Sequence, residues 1–462
     1  MYECPNCGGN LKFDIESQLL KCDYCQTTKD PYEVTKDNDA QEYHDFDVTV
    51  FTCPQCGGEI LSTDTSAAEF CSFCGASTIL SSRISKEKRP SRIIPFKVTK
   101  DACKEAYVSR MKRAVFAPNE LKDPKYIDSF RGIYMPYYAY HISQKGAVHL
   151  NGEKSYRQGD YLYKEQYALS GDIDAEYPGL PYDASSSFSD SISECVAPFH
   201  EKDMKQFTPS FLSGFYADTA DVDSTIYEQN ALEIANIDSF GKVKSSSVFS
   251  GVTLSGDNNA KNLSAILGTS LKETERVMYP VWFMSYRKND RVAYVTVNGQ
   301  TGKIAADIPI DIKKYSLGTL LLSLVLFVIL NLFFTIKPTT LLGYAFVLSI
   351  ITIILSLTES RRIRERDSRI GDKGYQFHLK EHKLSATSAS KTGTGFVGSL
   401  FALIVSMLIF FLNPVSDLWY YGGAFLSLLG VFATIIDIIR KYNVLATRKL
   451  PQFDRKGGND HA

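Results

Sequence analysis

Cys4-Pro5-Asn6-Cys7-Gly8-Gly9 opens a pattern that the chain repeats as Cys53-Pro54-Gln55-Cys56-Gly57-Gly58. Each stretch is answered downstream by a second pair, Cys22 and Cys25 in the first copy, Cys71 and Cys74 in the second. In both copies two residues separate the cysteines of a pair and fourteen separate the pairs. Two cysteines at this spacing wrap a tight knuckle around one ion, and two knuckles complete a tetrahedral thiolate shell. The pattern therefore predicts two tetracysteine metal sites: Cys4, Cys7, Cys22 and Cys25, then Cys53, Cys56, Cys71 and Cys74. Glycines after Cys7, Cys56 and Cys74 suit the left-handed backbone that closes a knuckle.

The inserts read as ribbon strands. Leu11, Phe13 and Ile15 alternate with polar residues, and Leu19-Leu20 leads back to Cys22; Glu59-Ile60-Leu61 and Ala68-Glu69-Phe70 do the same in the second copy. Units this small need metal for much of their folding free energy. The expected cofactors are two structural zinc ions, with iron in a four-thiolate site the weaker alternative. A disulfide framework is the bland alternative. It fits poorly with the absence of a cleavable signal and with a reducing compartment. Four fixed ligands leave no open position, so neither site is expected to be catalytic.

Apolar residues are segregated toward the C-terminal half. Leu317 to Ile336, Leu341 to Leu357, Phe396 to Leu412 and Trp419 to Ile439 are four runs nearly free of charge. They predict four transmembrane helices in two hairpins. Arg361, Arg362, Arg364, Arg366, Arg369, Lys373, Lys380, Lys383 and Lys391 lie between the hairpins, and Arg440, Lys441, Arg448, Lys449, Arg455 and Lys456 follow them. The positive-inside bias places the N-terminus, the central loop and the C-terminus in the cytoplasm. The basic loop reads first as a topology determinant, and second as a contact for anionic lipid headgroups. Polar groups inside the spans look few: Asn331 is placed to bond a neighbouring helix, and Asp437 lies near Arg440 and Lys441. That sparsity argues against a pore or proton path.

The expected organisation is multidomain: zinc ribbons at 1–35 and 48–82, an α+β aromatic-rich domain at 88–312, transmembrane hairpins at 315–357 and 396–440, a basic loop at 358–395 and a basic tail at 441–462. A polar stretch, Ser81 to Arg92, is expected to separate the ribbons from the middle domain. There, a helix over about 100–116 is expected to be capped by Thr99, with Cys103, Tyr107 and Val115 on its inner face. A second helix is expected over about 222–236. Gly132-Ile133-Tyr134-Met135-Pro136-Tyr137-Tyr138-Ala139-Tyr140 resembles Val277-Met278-Tyr279-Pro280-Val281-Trp282-Phe283-Met284-Ser285-Tyr286, and the latter continues through Lys288-Asn289-Asp290 into an antiparallel meander. The tyrosines and phenylalanines read as core and sheet pairs.

With these stretches in hand, the chain resembles a family of bacterial zinc-ribbon membrane proteins. The resemblance rests on the paired ribbons, on Ile94-Pro95-Phe96-Lys97-Val98, on Gly132-Ile133-Tyr134-Met135-Pro136, on Tyr279-Pro280-Val281-Trp282-Phe283, and on Asn298-Gly299-Gln300-Thr301-Gly302-Lys303. One branch of that family resembles membrane partners that recruit phage-shock protein A during envelope stress. The resemblance implies a cytoplasmic protein partner of that kind and supplies no catalytic residue.

Three functions follow as expectations. The first is a non-enzymatic membrane scaffold presenting a cytoplasmic docking surface, since no P-loop, H-E-x-x-H or G-x-S-x-G motif is present. The second is nucleic-acid binding, against which charge argues. Residues 1–80 hold only Lys12, Lys21, Lys29 and Lys36 as cations against more than twice as many acids. The third is a membrane enzyme on lipid or peptide, with His141, His149, His200, Asp172, Asp174, Asp218, Asp221 and Asp223 as raw material. Cys103 reads as a buried apolar residue, and Cys195 as an unremarkable thiol.

Overall fold

The computed structural model describes residues 2–35, 45–62, 71–76, 81–246, 251–255, 260–333, 337–381 and 395–451. Strands β1 (Leu11–Asp14), β2 (Leu19–Cys22) and β3 (Thr28–Lys29) form a small antiparallel sheet, followed by α1 (Pro31–Thr35). The next strands, β4 (Asp45–Thr52), β5 (Glu59–Ser62) and β6 (Ser81–Lys88), belong instead to the large sheet, and β7 (Arg92–Ile93) lies near its other side. The expected linker from Ser81 is thus a strand: β6 pairs with β4 from Thr52↔Ser81 to Asp45↔Lys88. Its polar composition reflects an edge position, where charged side chains discourage further pairing. The return strand expected at Ala68 to Phe70 falls outside the described residues.

Helices α2 (Lys100–Arg113) and α3 (Pro124–Ile127) precede a long hairpin, β8 (Arg131–Gln158) and β9 (Tyr161–Asp183). Then come α4 (Asp190–Val196), β10 (Lys205–Gln206), β11 (Tyr216–Ala217), α5 (Glu228–Ser245), β12 (Thr253–Ser255) and α6 (Ala260–Ile266). The meander β13 (Thr269–Lys288), β14 (Arg291–Asn298) and β15 (Ile304–Ala306) closes the sheet domain. The sheet path is β10-β7-β13-β8-β11-β5-β4-β6, with β9 and β12 also on β8, and β14 on β13. It is mixed, because β7 runs parallel to β13 and β11 parallel to β8.

Thr99 caps α2 as expected, its Oγ1 accepting from the Ala102 amide, and Cys103, Tyr107 and Met111 are buried. Val115 departs from expectation: the helix ends before it and it is 67% exposed. The second helix starts later than expected, because Asp223 accepts from the Thr225 amide and holds that segment in a short 3-10 turn.

The two similar aromatic stretches are paired with each other. Gly132 lies opposite Trp282, Tyr134 opposite Pro280 and Pro136 opposite Met278, in the middle of the sheet. Phe96 stands beside this pairing, fully buried. Its ring stacks on Phe215 at 4.5 Å and meets Tyr134 at 4.9 Å and Trp282 at 5.0 Å. The two glycines here leave room for rings: a Cβ on Gly132 would lie 2.5 Å from Phe215, and one on Gly299 would lie 2.5 Å from Phe96. The Lys97 and Val98 amides both donate to the Gly299 carbonyl at 2.8 Å, and the Trp282 indole donates to the Val98 carbonyl at 2.8 Å.

In the C-terminal part, α7 (Ile312–Phe333), α8 (Pro338–Asp367) and α11 (Asp417–Leu445) are long and apolar enough to cross a membrane, and α10 (Val397–Leu412) is a shorter apolar helix. Between them α9 (Lys373–Glu381) occupies part of the expected basic loop, and β16 (Arg448–Lys449) occupies part of the expected tail. Asn331's side chain, and Lys383, Lys391, Arg455 and Lys456, lie outside the described residues. Polar groups in the helices are less sparse than expected. Thr352 bonds Ser399 at 2.6 Å, Ser406 bonds Ser427 at 2.9 Å, and the carbonyls of Gly398 and Gly430 sit where a Cβ on the other would clash. Small residues and hydroxyls are what bring helices close in an apolar solvent. Asp437 pairs with Lys441 at 2.8 Å, and Lys441, nearly buried, also donates to Ser356 Oγ at 2.7 Å.

Ion pairs lock these helices to the sheet domain. Arg291 reaches Asp367 at 3.2 Å and also donates to the carbonyls of Val444 and Thr447. Asp307 accepts from Arg366 at 3.2 Å and from Arg448 at 3.4 Å. Ile310 and Asn443 exchange two hydrogen bonds of 2.7 Å, and β16 adds to the sheet beside Arg291 and Val292 of β14.

Removing Phe96 opens a cavity at the centre of this packing. Phe96→Ala is expected to cost about 3–5 kcal/mol, read as a large fall in the thermal midpoint of the purified protein. Val115→Ser should stay within about 0.5 kcal/mol of wild type.

Candidate metal centres

All four knuckles have the same backbone. The amide of the first cysteine donates to a carbonyl five residues on: Cys4 to Gly9, Cys22 to Thr27, Cys53 to Gly58 and Cys71 to Ala76. A return bond runs to the first cysteine's carbonyl from the residue four positions on, donated by Gly8, Gln26, Gly57 and Gly75. Those four residues have φ of 70°, 60°, 74° and 69°. Three are the glycines expected from sequence; Gln26 holds the same left-handed turn with a side chain, and its amide group donates to the Asp23 carbonyl.

This geometry gathers the thiols. In each tetrad the four Sγ atoms lie within 4.8 Å of one another. The pairs Cys4–Cys25 and Cys7–Cys22 are 3.4 Å and 3.5 Å apart; Cys53–Cys74 and Cys56–Cys71 are 3.8 Å and 3.7 Å apart. A tetrahedron of ~2.3 Å zinc–sulfur bonds has edges of about 3.8 Å, which the second site matches and the first approaches. A disulfide needs about 2.05 Å, so the cysteines are free thiols. The two tetrads fit two structural metal ions.

Their surroundings differ. In the first, Cys4 and Cys22 are buried, but Cys7 and Cys25 are exposed. The Thr27 hydroxyl 3.1 Å from Cys25 Sγ stabilises its thiolate and holds the pKa down at about 6. In the second, all four cysteines are buried among Phe51, Ile60 and Phe73, with Leu450 packed alongside.

Neither unit is a free module. Leu11, Phe13 and Leu20 of the first hairpin enter the main core, where Phe13 meets Phe211 at 5.2 Å and its amide donates to the Ser213 carbonyl. Gln18 donates to the Phe96 carbonyl at 2.8 Å. The second unit leans on β13 and β14: the Tyr294 hydroxyl donates to the Phe73 carbonyl at 2.6 Å, and Arg287 donates to Gln55 at 2.8 Å. Sequence reading missed these contacts, because their partners are far away in the chain.

The histidines and acids considered for catalysis do not converge. His149, His200, Asp172, Asp174 and Asp223 are exposed, and His141 lies 3.6 Å from Glu275. Asp218 and Asp221 do come together, but on serines: Asp218 accepts from Ser185 and Ser187, and Asp221 from the Ser186 amide and hydroxyl. Burial lifts the Asp218 carboxyl to about 7. Cys195 is exposed, and the buried Cys103 thiol is pushed up to about 12 by burial.

Two outcomes are expected. Competition with a chromogenic chelator should release metal in two phases, one equivalent fast from the first tetrad and one slow from the second. Cys7→Ser should remove the fast phase, and release in a single phase would contradict the difference in exposure. Asp218 ionises near 3.8 unfolded and near 7 folded, so the native state binds more protons across that window and stability falls as pH rises through it. Asp218→Asn should flatten the change in thermal midpoint between pH 4 and pH 8.

No family model matches the chain, and no solved structure matches it. Over 319 residues it is 29% identical to the uncharacterized protein YdjG of Bacillus subtilis (strain 168), an alignment covering 68% of this chain and 91% of that one.

Proposed function

We propose that the chain is a non-enzymatic scaffold of the bacterial cytoplasmic membrane that holds two structural zinc ions and docks a cytoplasmic protein, a phage-shock-protein-A-like partner in envelope stress. The observation that carries this reading is the lock between the soluble part and the helices: Arg291–Asp367 and Asp307 with Arg366 and Arg448. A platform fixed in this way presents one orientation to the cytoplasm. Closed tetracysteine sites support structural metal, and the scattered histidines and acids give an enzyme little to work with.

Helix ends support four crossings with both termini on the cytoplasmic side. The start of α7 and the ends of α8 and α11 all touch the soluble part, through Lys314 to Ala117, Arg366 to Asp307 and Asn443 to Ile310. A chain that leaves the junction along α7 returns along α8, and one that returns along α11 must first have crossed outward. The short α10 is the described apolar helix placed to do so, and a short span is accommodated by local thinning of the bilayer.

The end of the β8–β9 hairpin supplies the docking surface. Among the described residues, beyond those that β12 pairs with, it is a two-stranded ribbon, which is marginally stable alone. Tyr156 and Tyr163 stack across it at 5.4 Å, while Tyr161 and Leu162 are 73% and 63% exposed at its tip. Exposed aromatics on a projecting element are the anchors that protein interfaces favour.

Cross-linked membranes of the native bacterium, solubilised and purified on the full-length protein, test this. A phage-shock-protein-A-like protein should be recovered, and Tyr161→Ala/Leu162→Ala/Tyr163→Ala should reduce its yield at least tenfold without loss of zinc. Equal recovery with the variant, or no such protein with either, would sink the reading.

A further inference from the structure

The last turn of α2 carries Arg110, Lys112 and Arg113, all exposed. The chain then turns through Val115 and Phe116 to the first turns of α7. The Phe116 ring lies 5.1 Å from that of Tyr315, and a Cβ on Gly318 would be 2.9 Å from it. Phe116 therefore sits level with Leu317, where α7 becomes apolar and 59% exposed. Two further bonds fix this height: Lys314 Nζ donates to the Ala117 carbonyl at 2.8 Å, and the Asp311 amide donates to the Phe116 carbonyl at 2.8 Å.

A groove of about 330 Å³ opens here, lined by Arg110, Arg113, Val115, Phe116, Ile310 and Tyr442 among others, none of them a carboxylate. Two acids adjoin this lining in sequence, Asp307 and Asp311; Asp311 is engaged in capping α7, where it accepts from the Lys313 amide at 2.9 Å. On the water side, the same two arginines share a second depression with Glu194 and Asp307, and Asp307 is already paired with Arg366 and Arg448. The cations expected from sequence to meet lipid are in part compensated: Arg361 pairs with Glu365, Arg362 with Glu359, Arg366 with Asp307 and Arg369 with Asp372.

We propose that this groove binds the headgroup of an anionic phospholipid, with Arg110 and Arg113 on its phosphate and Val115, Phe116 and Ile310 against its glycerol and first methylenes. The proposal rests on the reading that α7 and α11 cross a membrane. Cations above apolar side chains at the water–hydrocarbon boundary match the layered chemistry of such a lipid, whereas a soluble phosphate would leave the apolar wall wet. Tyr315 and Tyr442 complete an aromatic belt at the same level.

Tryptophan quenching in nanodiscs tests it on the full-length protein. The chain has two tryptophans; Trp419→Phe removes the exposed one, and Trp282, buried, remains as a constant background. Val115→Trp and a control, Leu320→Trp, are placed in bilayers in which a minor fraction of either phosphatidylglycerol or phosphatidylcholine is brominated. Both lipids should quench the Leu320→Trp control alike. The Val115→Trp signal should be quenched more strongly by brominated phosphatidylglycerol, and Arg110→Gln/Arg113→Gln should lower that preference by more than tenfold, at roughly fivefold per arginine. A quenched Leu320→Trp beside an unquenched Val115→Trp would overturn the site and leave the membrane reading intact. So would equal quenching by the two lipids that the arginine changes do not alter. An unquenched Leu320→Trp would overturn the membrane reading and the proposal with it.

Discussion

Burial of the Phe96 ring is the constraint on which the rest of the sheet domain depends. The ring fills a space that only glycine at 299 leaves open, and the ring it stacks on, Phe215, fills one that only glycine at 132 leaves open. Backbone follows ring. The Lys97 and Val98 amides bind Gly299, the Phe96 carbonyl receives Gln18 from the first tetracysteine unit, and Val98 receives the Trp282 indole just before α2 begins. Residues 94–98, 132–136, 279–283 and 298–303 meet at this one point, with the first tetracysteine unit beside them. Their residue types are thus set by packing around one ring.

Much of the architecture was legible where the signal is local. Knuckle spacing picked out the eight cysteines of the two tetrads, and uninterrupted apolar runs located α7, α8, α10 and α11, because a few successive residues determine each. What was not legible depends on distant partners. Ser81 to Lys88 reads as a polar linker until β4 is there to pair with it. Val115 fits an amphipathic helix on paper, but the helix stops at Arg113. The similar stretches around Tyr134 and Tyr279 announced a relation, and only the sheet register reveals that they pair. Arg366 and Arg448 looked like topology signals, yet both are held by Asp307.

Those arginines bear on how the two halves of the molecule are joined. The second tetrad is covered by Leu450, which follows directly on β16; β16 pairs with β14; and β14 carries Arg291, which grips Asp367 at the end of α8. A continuous path of packed or paired groups therefore connects the buried second tetrad to the apolar helices α8 and α11.

Ion pairs this buried contribute little net stability, because desolvation offsets most of their attraction. Asp367 shows the cost: its side chain is 3% exposed, and its second oxygen has no hydrogen-bond partner among the described residues. What such pairs do supply is orientation. An apolar junction of similar area would tolerate sliding and rotation, whereas Arg291 satisfies Asp367, Val444 and Thr447 in one arrangement only. Small residues serve α8, α10 and α11 in the same manner, since glycine and serine contacts fix helix spacing where lipid offers no hydrophobic drive. The molecule is thus specified by directional contacts at each level below its aromatic core, from the Arg291–Asp367 pair at the junction to the hydroxyl and glycine contacts between the apolar helices.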